Sequence, residues 1–275
     1  MQLRLSLFVK ELVLFGATLS IGLFVAYHYG LYAPDTIIVE PLQFSWQNIT
    51  LIVASFLFFS FILARFKRIA TISFRLFLIL VVISGTQLFF ASFLRSPLDL
   101  VLAIAVAAIM MLVKTVLTHD VGIILGIAGI SALLGLSVTP IAALLIIAML
   151  SIYDIISVYK TKHMVSLAEN MVQSGAVFGF LIPLRTRDFF TRVGPSDFRD
   201  RCMILGSGDI GLPIMFAASL ITTSLRSSII VGSFSVIGLF ITHLLFVNQG
   251  SRRPMAALPP IATASIIGYF ISLFV

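Results

Sequence analysis

Residues 141–159 read IAALLIIAMLSIYDIISVY, and residues 202–225 read CMILGSGDIGLPIMFAASLITTSL. Each is an apolar run long enough to cross a bilayer core of about 30 Å, and each holds one acidic residue, Asp154 or Asp209. The rest of the 275-residue chain has the same character, with 60% hydrophobic and only 11% charged residues. A soluble domain carries about 25% charged residues, so this composition cannot cover a water-facing surface and excludes a soluble globular protein. Mean hydropathy is +1.14, and the apolar residues cluster rather than scatter. A single cysteine, Cys202, excludes an intrachain disulfide and a thiolate metal cluster.

Hydropathy divides the chain into nine spans: Leu12–Tyr32, Ile49–Ala64, Leu76–Leu94, Leu98–Leu117, Val121–Val138, Ile141–Tyr159, Cys202–Leu225, Ser227–Val247 and Met255–Val275. Helices are expected, because backbone groups in lipid must bond within their own segment and no run alternates like a barrel strand. The expected fold is thus an all-α multi-pass membrane protein with nine transmembrane helices. It forms one membrane domain over residues 1–275: spans one to six in 1–159, a cytoplasmic loop at 160–201, and spans seven to nine in 202–275. The first span is too long for a signal peptide's apolar core and reads as a retained helix. Within the long loop, the mildly apolar stretch Met171–Leu184 reads as an amphipathic or re-entrant piece at the interface.

Nine spans sort 16 of the 18 Lys and Arg residues to one face, leaving Arg95 and Arg226 on the other. The positive-inside rule then places the N-terminus in the cytoplasm and the C-terminus outside. The net charge of +7 is explained by topology and by contact with the lipid bilayer, so no nucleic-acid partner is implied. The expected location is the cell membrane.

Of the 11 acidic residues, nine fall in loops or at span ends on this division, Glu11, Asp99 and Asp120 among them. Asp154 and Asp209 remain inside spans six and seven, with no Lys or Arg in the same stretches. An aspartate at the centre of a membrane helix costs about 2.5–3.5 kcal/mol even on lenient scales, so such residues point to function. If both spans are helical throughout, each acid lies on the order of 8–10 Å below the cytoplasmic end. Antiparallel neighbours would then bring the two carboxyls level. Ser151 and Ser157 lie three residues either side of Asp154 and share its helix face. Gly206, Gly208, Gly211 and Pro213 crowd the sequence around Asp209.

Two carboxylates about 4 Å apart at an effective dielectric of 20 repel by about 4 kcal/mol, so a facing pair holds one proton between them. The ionised member can take a proton from water while the neutral one donates to a scissile carbonyl. This chemistry needs no metal and no cofactor. His28, His119, His163 and His243 lie in separate segments without metal-ligand spacing, and they read as packing or boundary residues. A proton- or cation-coupled transporter or channel would also use two buried acids beside a Gly/Pro-broken span.

Three short segments separate these readings. Tyr153-Asp154 in span six and Gly206-Ser207-Gly208-Asp209 in span seven resemble the YD and GxGD signatures of the presenilin and signal-peptide-peptidase family. Met255-Ala256-Ala257-Leu258-Pro259 at the start of span nine resembles that family's PAL motif, with Ala256 where its proline would stand. Ser207 occupies the x position, where presenilins carry an apolar residue. The orientation deduced above falls with the presenilins, and the small size resembles their archaeal homologues. The resemblance implies an intramembrane aspartyl protease acting on transmembrane peptides or proteins, with Asp154 and Asp209 catalytic. It further implies that Tyr153, Gly206, Ser207, Gly208, Ala257, Leu258 and Pro259 shape the site or bind substrate. Pro259 and Pro260 lack backbone donors and are expected to keep the start of span nine from forming regular helix.

Overall fold

The computed structural model describes residues 4–32, 67–160, 175–192, 202–249 and 255–274. Its helices are α1 (Leu5–Tyr27), α2 (Lys67–Ala91), α3 (Leu98–Val113), α4 (Val116–Leu136), α5 (Pro140–Ile155), α6 (Ser207–Ser219), α7 (Leu225–Val247) and α8 (Leu258–Ser272). Five helical stretches are long and apolar enough to cross a membrane: Leu5–Leu31, Ile72–Ala91, Val116–Leu136, Pro140–Lys160 and Leu225–Val247. Large apolar side chains cover the outside, with Met149 70% and Leu112 79% exposed, as expected of a surface solvated by lipid rather than water. The expected second span, Ile49–Ala64, lies outside the described residues.

Local sequence sets the helix boundaries. Lys114 adopts a left-handed conformation that ends α3, and Thr115 and Thr118 exchange side-chain-to-backbone bonds in a capping box that starts α4. Thr139 caps α5 from the residue before Pro140, where proline loses no helical bond. Ser224 caps α7 in the same way as Thr139. Helix α4 is the axis of the molecule and packs against α1, α2, α3 and α6. Small residues allow the close contacts: a Cβ on Gly85 would strike the Gly126 backbone of α4, and one on Gly135 would meet the Met215 carbonyl of α6 at 2.5 Å.

The all-α expectation is corrected by two short strands, β1 (Gly179–Pro183) and β2 (Cys202–Gly206), which pair antiparallel with Gly179 opposite Gly206. The apolar stretch read as an interfacial piece therefore contains a strand whose five residues are all buried. Span seven is likewise not one helix. Its first five residues are β2, and α6 has only 13 residues, about 20 Å of helix. The depth deduced for Asp209 assumes helical rise from Cys202 and does not hold, because strand residues rise about 3.3 Å each.

Three acids placed in loops or at span ends are also helical and buried. Glu11 of α1 is 1% exposed and bonds to Nδ1 of His243 in α7 at 3.0 Å. Asp99 at the start of α3 accepts from Gln87 of α2, and Asp120 lies fully buried in α4. A buried acid with a hydrogen-bond donor escapes much of the desolvation cost, so hydropathy alone misplaces Glu11 and Asp120, while Asp99 does lie at a helix end as expected.

Candidate active site

Helix α5 presents Asp154 on its inner face, between buried Ser151 and Ser157, while Tyr153 points to the opposite side and is 51% exposed. After Ile155 the winding widens into a π-helical turn, Ile156–Lys160, which contains Ser157. Such turns are concentrated at functional sites. Asp154 is the only acid of α5; it is 7% exposed, and its Oδ2 has no partner among the described residues.

Asp209 is the third residue of α6, with Gly206 as the cap residue before the helix. From that position its carboxyl reaches back to accept a hydrogen bond from the Gly206 backbone N–H, which is one half of a capping box. A carboxylate here also meets the positive end of the helix dipole. The two acids are close enough for their charges to interact. Pro213, four residues on, has no N–H to give the Asp209 carbonyl its usual helical partner.

The PAL-like segment reaches the same place. The Leu258 backbone N–H donates to the Asp154 carboxyl. The Leu258 side chain is 4% exposed and belongs to the buried apolar cluster that also holds Ala143 and Ile147 of α5 and Met215 and Phe216 of α6. The carbonyl of Ala257 accepts from the Thr242 hydroxyl of α7 at 3.3 Å. One expectation is corrected here: Pro259 and Pro260 do not keep this segment irregular, because α8 begins at Leu258 and both prolines lie in its first turn. Proline is tolerated there because first-turn N–H groups have no helical acceptor.

The structure thus brings Asp154, Asp209, Gly206 and Leu258 together, with Ala257 and Pro259 adjoining along the chain. Ser207 and Gly208 lie at the start of α6, and Gly208 has open space where a side chain would stand. Tyr153 stays on the outer face. Sequence reasoning missed β2, which leads directly into the Asp209 turn. Its only signal was the run Cys202–Gly206 ending at a glycine before Ser207.

A family model described as signal-peptide peptidase, presenilin aspartyl protease matches residues 18–275. The chain belongs to that family. It is an aspartyl protease by this membership, and the transporter reading is not favoured. Two solved structures, each described as a presenilin family intramembrane aspartate protease, share the fold. One, in a C222 crystal form, has a TM-score of 0.61 at 23% identity and covers 95% of this chain and 98% of its own. The other, in a P2 form, has a TM-score of 0.58 at 23% identity, with 94% and 95% covered. No curated protein matches the chain.

Proposed function

We propose that this family member hydrolyses peptide bonds of transmembrane segments with water held between Asp154 and Asp209. The observation that carries the reading is that Asp154 of α5 and Asp209 of α6 lie close enough for their charges to interact, with the Leu258 N–H on one of them. One ionised carboxyl takes a proton from water as the other protonates the scissile carbonyl oxygen, and the roles reverse as the amine leaves. Asp154 Oδ2, buried and without a partner among the described residues, supports a role in holding that water.

A helical substrate hides its carbonyls in its own hydrogen bonds, so it must be unwound before attack. Strand addition offers the unwound segment new partners. The edge of β2 away from β1 runs into the Asp209 turn and supports this mode of binding, and Leu258, between Ala257 and Pro259, reaches the Asp154 carboxyl through its N–H. Gly206, Ser207 and Gly208 complete the proposed site, while Tyr153, on the outer face of α5, stands outside it. The chain is read as one domain of nine spans, N-terminus in the cytoplasm and C-terminus outside, in the cell membrane.

The test is incubation of purified protein with a labelled single-span peptide. Asp154→Asn and Asp209→Asn are each expected to abolish cleavage while retaining the thermal unfolding profile. Substantial cleavage by either variant would remove the two-aspartate site.

A further inference from the structure

We propose that His119 and Asp120 of α4, with Lys10 of α1, are positioning residues that occupy the outer edge of β1 and so leave β2 as the edge for substrate. The inference rests on the reading of Asp154 and Asp209 as the protease site.

Antiparallel strands turn alternate residues toward and away from their partner. Ser207 N–H donates to the Phe178 carbonyl at 3.1 Å, which fixes the phase: residues 178, 180 and 182 bond toward β2, and 179, 181 and 183 turn away. Each outward position meets a side chain or lacks a donor. The His119 ring, through Nε2, donates to the Gly179 carbonyl at 3.2 Å. The Leu181 N–H donates to Asp120 Oδ1 at 2.9 Å. Pro183 has no N–H, and its carbonyl accepts from Lys10 Nζ at 2.8 Å. Side chains of two helices therefore take the places that a third strand would fill.

This arrangement has a cost that packing alone does not explain. Asp120 is fully buried, His119 is 8% exposed, and Asp120 Oδ2 has no partner among the described residues. Apolar residues would fill the same volume without burying an acid. What only these groups supply is a fixed register for β1. Because β1 pairs with β2 and β2 leads into α6, that register sets where an added strand lies relative to Asp209. On β2, Ile204 turns its backbone outward, and it is the strand residue most open to an incoming segment at 38% exposed.

The experiment compares wild type with Asp120→Ala, Asp120→Asn, His119→Ala, His119→Gln and Asp209→Asn on one labelled single-span peptide. It measures kcat and KM separately, maps every cut by mass spectrometry, and follows hydrogen exchange at the Leu181 amide. Asp120→Ala and His119→Ala are expected to lower kcat by about tenfold or more and to spread the cuts over neighbouring bonds. Asp120→Ala should also speed exchange at Leu181. Asp120→Asn and His119→Gln, which keep an acceptor and a donor respectively, are expected to restore the wild-type cut sites. Wild-type cuts at wild-type rate in both alanine variants would overturn the inference, as would an Asp120→Asn variant as impaired as Asp120→Ala. If Asp120→Ala fails to fold, the His119 pair decides on the same readouts. Activity persisting in Asp209→Asn would remove the two-aspartate reading instead, which keeps the two failures distinct.

Discussion

The Asp209 carboxyl is held by a residue with no side chain. Gly206 gives its N–H to that carboxyl, and a Cβ added there would lie 3.1 Å from Asp209 Oδ2. Gly206→Ala must therefore turn the carboxyl, and cleavage is expected to fall by about tenfold or more with little change in thermal stability. Steady-state kinetics on the folded variant checks this. Gly208 makes the contrasting case, since a Cβ there meets nothing within 4 Å. Gly208→Ala is expected to keep or slightly raise stability, as alanine for glycine in a helix does by about 0.5–1 kcal/mol. If substrate uses that space, KM rises while kcat holds, and an unchanged KM would show the space to be unused.

At the scale of elements, α8 begins where a helix suits its two prolines. Replacing Pro259 and Pro260 together by alanine leaves the helix start in place but adds two N–H groups to a first turn that already offers Leu258 N–H to Asp154. The expected outcome is a several-fold loss of cleavage with unchanged helix content, read by the peptide assay beside circular dichroism. The helices that carry both acids were legible in the sequence because apolar length and a lone aspartate each leave a strong signal. The sheet was not. A short apolar run such as Cys202–Gly206 has the same hydropathy in a strand as in a helix. Burial of all of β1 also removes the alternation that marks a half-exposed strand. The role of Leu258 was legible only as a motif, since its N–H bond depends on the approach of a helix that lies far back along the chain. Glu11 and Asp120 were misplaced because their partners, His243 and the Leu181 amide, are equally remote in sequence.

For the whole molecule, the proposed orientation rests on the distribution of basic residues, and exposed positions at either end of the bundle test it. With Cys202 replaced, Ser96→Cys between α2 and α3 is expected to react with an impermeant thiol reagent added outside intact cells. Thr186→Cys, in the segment after β1, is expected to stay protected until the cells are opened. The reverse pattern would invert the proposed topology. The pair formed by Glu11 and His243 has a consequence for how the chain is made. The two residues are 232 positions apart, one in the first and one in the last but one of the described helices. At about 5–20 residues per second, His243 leaves the ribosome on the order of 10–50 s after Glu11. For that interval α1 carries an acid without the partner it has in the finished bundle, so its insertion depends on the insertion machinery or on neighbouring helices sheltering Glu11 until α7 has been made.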